Sequence, residues 1–340
     1  MATERLRWPD TARGGAMVLV VLAHTLQLMA AYGWELGWLD TANTFLTAIR
    51  MPLFFVISGM LAATVVRKPW SQVWARRLWL LVYVYVLWSA VRALWFTIVP
   101  WPLSDVPPWQ AFVLLPVWPT TGLWFLFALV LYITLLRFAR STPTWAVLGL
   151  AGGLSVAAAY DVVPTGDNPI WRSIALYLFF FALGVRGAPA WKALAAHARA
   201  WWAVPAVILI PAAFALFRVV PSAGSGLARV ILSTVCVVAC VVIASSLARS
   251  VVLSSPLVAV GRRTLPVYVL HALLLATVVP WIPANAASAP FVAFSLTLGA
   301  VAACVGLSVP LSRVPGVFAP PRRWQPQARA VESTRDEILP

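Results

Sequence analysis

Ten stretches of this chain are each apolar over about the length an α-helix needs to cross a bilayer, roughly 20 residues, and nothing else in the sequence limits its fold as tightly. They run over 13–32, 46–66, 77–98, 122–139, 143–160, 170–186, 201–218, 227–248, 264–282 and 290–312. The fifth, rich in Gly and Ala, is the weakest. Of the 340 residues 62% are hydrophobic and 10% charged, against about a quarter charged in an ordinary soluble domain. Backbone groups in hydrocarbon have to be satisfied within their own segment, so runs of this length fold as helices. The expected class is all-α: a polytopic membrane protein of about ten transmembrane helices.

The net charge of +15 would suit nucleic acid if the basic residues formed one patch. They fall instead between the apolar runs, which argues against that partner. With the N-terminus on the cytoplasmic side, 20 of the 25 Lys and Arg residues lie on that side, in groups such as Arg67, Lys68, Arg76 and Arg77. The other five, Arg50, Arg92, Arg172, Arg218 and Arg229, stand at or near the outer ends, where the loops carry Glu35, Asp40, Asp105, Asp161 and Asp167. This is the positive-inside pattern, and it predicts both termini cytoplasmic in a multi-pass protein of the cell (inner or plasma) membrane. Residues 1–313 read as one transmembrane domain and 314–340, rich in Pro and Arg, as a cytoplasmic, disordered tail. The first helix resembles a signal anchor without a convincing cleavage site and is expected to be retained. The stretch 100–121 reads as an interfacial or re-entrant piece over the outer mouth. Cys236, Cys240 and Cys304 sit in apolar runs with no companion ligands, so neither a metal site nor a disulfide framework is expected.

Ionisable groups at mid-membrane are costly and face a protein interior, a water-filled cavity or a partner. His24 follows Arg13 by eleven residues, about 16 Å along a helix, which puts it near the midplane. A neutral imidazole there suits general-base work. His271 lies at similar depth on the ninth run, so the two histidines are candidates to line one cavity; His197, in a basic loop, reads as solvated. Asp10 and Arg13 form an i, i+3 pair at the mouth of the first helix. Arg13, Arg76 and Arg77 offer guanidinium groups suited to phosphate, with ordinary topology charges the competing reading for the last two. On the second run, Arg50, Pro52, Ser58 and Gly59 interrupt the apolar pattern. Ser58 is expected level with His24, and Arg50 could snorkel outward, bind an acceptor or stabilise an oxyanion.

Taken together, these segments resemble the acyltransferase-3 family of integral-membrane O-acyltransferases. The matching pieces are Asp10-Thr11-Ala12-Arg13-Gly14 followed by His24; Met51-Pro52-Leu53-Phe54-Phe55 with Ile57-Ser58-Gly59; Trp124-Phe125-Leu126; Leu183-Gly184; and Tyr268 through His271. The resemblance implies transfer of an acyl group, often acetyl from acetyl-CoA, to a hydroxyl of a carbohydrate or other small acceptor. It also implies Arg13 and His24 as the catalytic element, with acyl-CoA as co-substrate and no permanently bound cofactor. The family often carries two arginines three apart where the third helix begins; here Leu80 stands three after Arg77, and the adjacent pair Arg76-Arg77 is found instead. The chain resembles the family's stand-alone form, so no esterase-like C-terminal domain of the kind some relatives carry is expected. The rival reading is a transporter or flippase of a small polar or lipid-linked substrate, because mid-depth polar residues also mark transport pathways. The lack of intramembrane acids and of an obvious inverted repeat weighs against it.

Overall fold

The computed structural model of the chain describes residues 6–119, 122–166, 168–219 and 225–324, without the side chains of Arg76, Phe217, Arg218 and Arg322. Fourteen α-helices succeed one another among the described residues: α1 (Arg7–Ala31), α2 (Trp38–Ala62), α3 (Trp70–Val73), α4 (Trp79–Phe96), α5 (Pro108–Val113), α6 (Trp124–Phe138), α7 (Thr144–Ala159), α8 (Pro169–Arg186), α9 (Ala188–His197), α10 (Ala203–Val219), α11 (Ser225–Ala248), α12 (Val251–Arg262), α13 (Thr264–Val278) and α14 (Ala289–Leu311). No strand occurs among these residues.

Each of the ten apolar runs holds a helix. Eight spans, α1, α2, α4, α6, α8, α11, α13 and α14 with their terminal turns, are long and apolar enough to cross a bilayer. The other two helices, α7 and α10, have 16 and 17 residues, about 24–26 Å against a hydrocarbon core of about 30 Å. α10 follows α9 after a bend of 109°, so the basic loop carrying His197 is a helix laid across the entry to the next one. His197 is exposed at its end, its Nδ1 bonded to the Ala193 carbonyl at 2.8 Å.

Two boundaries differ from the expectation in ways that matter for the site. α1 begins at Arg7 rather than at residue 13, so Arg13 stands almost two turns inside a helix about 37 Å long. The stretch between the eighth and ninth runs, expected as a loop, forms α12 and packs along the beginning of α1. Glycine makes that approach close: a Cβ at Gly14 would overlap the Leu257 carbonyl, and one at Gly261 would overlap the Asp10 carbonyl. The residue order in these contacts makes α1 and α12 antiparallel. Where burial of hydrophobic area gives helices little reason to associate, small residues at the crossing let dispersion do so.

The same device joins α2 to α8. A Cβ on Gly59 would run into the Phe181 carbonyl, and one on Gly184 into the Val56 carbonyl. The glycine of Ile57-Ser58-Gly59 and that of Leu183-Gly184 are thus two halves of one helix crossing. α1 lies at the centre of the bundle, against α2, α11, α12, α13 and α14, with its bond to α14 through the Thr25 and Thr297 hydroxyls, 3.3 Å apart.

Between α3 and α4 the turn Trp74–Leu78 widens to π-helical form, the Trp79 N–H bonding to the Trp74 carbonyl. Among the described residues of the stretch 100–121 the helix is the short α5; their backbone is pinned by Tyr85 Oη to the Leu115 carbonyl at 3.2 Å and Trp171 Nε1 to the Val117 carbonyl at 3.0 Å. Beyond α14 the chain doubles back onto α4. Trp88 Nε1 donates to the Val317 carbonyl at 2.8 Å, Tyr83 Oη to the Gly316 carbonyl at 2.8 Å, and Phe318 stacks on Trp88. The first part of the expected disordered tail is therefore packed, while 325–340 lie outside the described residues.

Candidate active site

The two mid-membrane histidines meet. The His24 and His271 rings stand 5.1 Å apart, centre to centre, tilted by 42°. His271 is buried, and its Nδ1 lies 2.9 Å from the Val267 carbonyl one turn back. A carbonyl only accepts, so that nitrogen carries the proton and Nε2 of a neutral ring is left with its lone pair. Nε2 of His271 and Nδ1 of His24 are both buried, with no hydrogen-bond partner among the described residues. Buried polar atoms are nearly always paired, and exceptions of this kind mark sites awaiting a ligand, water or proton transfer.

A small cavity of about 40 Å³ borders His24 and is lined also by Met51, Phe54, Gly122, Trp124 and Tyr268 among others; His271 stands behind His24 and is not among its lining residues. Trp124, one of the residues that carry the family resemblance, is thus placed in the wall of the His24 cavity. Toward the starts of α1 and α4 lies a second cavity of about 120 Å³, whose polar lining includes Arg13, Ser58, Arg77, Thr264 and Tyr268. Phe54, Phe125 and Tyr268 line both, so three aromatic rings form the partition between them. Phe54 meets Phe125 edge-on at 4.8 Å, and Phe125 meets Tyr268 at 5.8 Å. Tyr268 is fixed at its far end: its hydroxyl donates to the Gly122 carbonyl at 3.2 Å and accepts from the Phe125 N–H at 3.3 Å.

Arg13 and Arg77 therefore share one chamber, as a phosphate-binding reading requires. Arg77 projects from the π-turn, and burial lowers its pKa from the ordinary value. Guanidinium starts from so high a value that it stays charged at neutral pH. Arg76 occupies the same turn; its side chain lies outside what is described. Leu80, at the position where the resembling family often has its second arginine, lines this same chamber. Ser58 is buried here, among the Arg13 chamber's walls and not among those of the His24 cavity. The expectation that it stands level with His24 thus differs from what is found: Phe54 lines both cavities, and Ser58, four residues on along α2, lines the Arg13 chamber. Asp10, also buried, has its carboxylate 3.4 Å from Nε of Arg262 on α12. The helix mouth is thereby tied to an element expected from sequence as loop.

Arg50 is buried rather than snorkelling. Its guanidinium donates to Asn43 Oδ1 at 2.8 Å and Thr47 Oγ1 at 2.7 Å on its own helix. Its charge acts on His24 and on Tyr177, whose ring stacks with Trp124. Two residues of the site escape a reading by run and loop. Gln27, one turn beyond His24, interacts with the imidazole through its side chain. Arg92 is buried on α4, and its charge acts on both histidines and on Tyr268. The signal for Arg92 was available: an arginine inside the apolar run 77–98 has no loop to belong to. Among the described residues, no group of three or more His, Cys, Asp or Glu is placed to hold a metal ion.

A family model described as an acyltransferase domain, of the acyltransferase-3 type, covers residues 6–311. Neither curated proteins nor solved structures gave a match.

Proposed function

The chain belongs to the acyltransferase-3 family, and from that premise we propose that it is a membrane O-acyltransferase. It moves an acyl group, acetyl being the simplest, from acyl-CoA to a hydroxyl of a carbohydrate or other envelope or secreted acceptor. The observation that carries the reading is the alignment of the two chambers. One is lined by Arg13 and Arg77, the other by His24, whose Nδ1 has no hydrogen-bond partner among the described residues, and Phe54, Phe125 and Tyr268 line both.

On this reading the Arg-rich face is cytoplasmic. The CoA phosphates sit against Arg13 and Arg77, with Arg76 beside them, and the thioester threads past Phe54, Phe125 and Tyr268 toward His24. The acceptor enters from the opposite face, past Arg50. His24 takes the proton of the attacking hydroxyl, the new C–O ester bond forms as the C–S thioester bond breaks, and the proton passes to the departing CoA thiolate. His271 presents Nε2 as a hydrogen-bond acceptor beside His24 and steadies the ring that cycles between protonation states. A covalent variant has His24 itself carry the acyl group between the two half-reactions.

The test uses the protein in membranes with labelled acetyl-CoA, wild type beside His24→Ala. Loss of the general base costs about 10²–10⁴ in rate; full turnover by the variant would remove His24 from the chemistry. Label trapped on His24 in the absence of acceptor selects the covalent route.

A further inference from the structure

A third cavity, of about 110 Å³, opens on the far side of the histidine pair from Arg13 and Arg77. Arg92, Phe96, Trp101, Ser104, Val106 and Ala111 are among its walls. Arg92 is 3% exposed, and its guanidinium carbon lies 5.0 Å from the centre of the Phe96 ring and 5.2 Å from that of Trp101. Its Nε is buried with no hydrogen-bond partner among the described residues. No Asp or Glu is among the residues lining the cavity; Asp105, beside Ser104, is exposed. The two rings steady the cation but satisfy no N–H, an ionisable residue buried in a bilayer protein marks a functional site by default, and the group complementary to a guanidinium is a carboxylate or phosphate.

The position of Arg92 ties this cavity to the reacting centre. Gly122, with φ +76°, lines the His24 cavity, and a Cβ there would come within 2.7 Å of Arg92 Nη2. The guanidinium is thus separated from the histidine chamber by a single glycine, in a backbone conformation that side chains rarely adopt. Arg92 on α4 is also fifteen residues beyond Arg77 of the preceding π-turn, about 22 Å of helical rise, too far to belong to the chamber assigned to CoA.

We infer that the acceptor is anionic, and that its carboxylate or phosphate docks on Arg92 in this outer cavity with its hydroxyl turned toward His24. The inference rests on the acyltransferase reading and narrows its substrate class. A cavity of this volume takes an oxyanion with a few waters but not a whole saccharide, so the rest of the acceptor lies outside it, toward Gly122.

Three glycosides with one ring separate charge from shape: methyl β-glucoside, its 6-phosphate and methyl β-glucuronide. Binding to the full protein in lipid nanodiscs is measured by calorimetry for wild type, Arg92→Gln, Arg92→Lys and Val106→Trp. At least one charged glycoside should bind tenfold or more tighter than the neutral one, and which one does so identifies the oxyanion. Arg92→Gln should erase that preference, Arg92→Lys should keep part of it, and Val106→Trp should abolish it by filling the cavity beside an intact Arg92. Equal binding of all three, no binding of either charged glycoside, or a preference that survives Arg92→Gln would overturn the inference. If Arg92→Gln fails to fold, a charge preference that survives Val106→Trp overturns it equally. Wild-type turnover of acyl-CoA that depends on His24 is read separately. Its absence would remove the acyltransferase reading, whereas its presence without charge preference would remove only this inference.

Discussion

Replacing Gly184 by Ala tests how closely α2 must approach α8 for the site to work. The added Cβ would stand 2.9 Å from the Val56 carbonyl carbon and 3.0 Å from the Met60 N, besides overlapping the carbonyl oxygen. Ordinary contact begins near 3.4 Å, so relieving the contact with the carbonyl carbon alone takes 3.4 − 2.9 = 0.5 Å, and the overlapped carbonyl oxygen, nearer still, demands more. Neither neighbour is a flexible side-chain tip that could swing away. Overpacking of this kind costs about 1–3 kcal/mol, and it displaces the helix that carries Phe54 to His24 and Ser58 to the Arg13 chamber. A misplacement of about 1 Å is enough for about a 10²-fold loss in rate, so acyl-CoA turnover should fall by roughly ten- to a hundredfold while the protein remains folded. The assay pairs thermal unfolding in nanodiscs with turnover of labelled acetyl-CoA for Gly184→Ala, Gly59→Ala and the double variant. Both glycines serve one crossing, so helices already parted by the first substitution have less to lose from the second. The combined effect should fall short of the sum, beyond the roughly 0.3–0.5 kcal/mol scatter of independent sites. A Gly184→Ala protein with wild-type melting and turnover would refute the argument, and strict additivity would refute the claim of one shared contact.

The remaining predictions concern single contacts. His271→Ala should lower turnover by about 10²-fold or more, in the range of proton-transfer assistance, with the KM for acyl-CoA unchanged; an unaltered rate would reduce His271 to packing. Leu80→Arg adds a guanidinium to the chamber holding Arg13 and Arg77. One charge-assisted hydrogen bond of about 1.5–3 kcal/mol would lower the KM for acyl-CoA by about 10- to 100-fold, and an unchanged or raised KM would count against phosphate binding there. Trp88→Ala removes both the bond to Val317 and the stack on Phe318, and should expose the chain after α14 to trypsin at Arg313 and Arg323. A digestion pattern matching wild type would show that the segment is held by other contacts.

The all-helical class and the positions of the helices were legible because hydrocarbon allows few other solutions for long apolar runs. His24 and His271 stood out for the same reason, since each interrupts such a run at a depth where the cost of a polar group demands a role. What periodicity could not reveal was lateral arrangement. Position along the second run puts Ser58 at the level of His24, whereas the packing of α2 sets it among the walls of the Arg13 chamber. Residues 249–263 carry Ser, Pro and three arginines, which reads as loop; their helix exists because Gly14 and Gly261 let it lie against α1, a pairing across about 250 residues that no local signal announces. Arg92 was assigned to topology by its nearness to the end of a run, although its depth argued otherwise. The tail from Val314 to Phe318 looked like linker composition, and only the Trp88 indole shows why it folds back.

The contact between Asp10 and Arg262 has a consequence for the order in which the protein is assembled. α1 leaves the ribosome ahead of the other described helices, yet it carries a buried carboxylate with a partner 252 residues downstream. At about 5–20 residues per second, α1 waits roughly 12–50 s for α12, with Arg262 not yet beside Asp10 and the groove at Gly14 unfilled. Its neighbours α11, α13 and α14 also arrive late. The helix that bears His24 is therefore inserted early and enclosed last. A chain truncated before α12 should be recognised by membrane quality control through this uncovered helix, and pulse-chase degradation of truncations ending before and after Arg262 would locate the step at which that exposure ends.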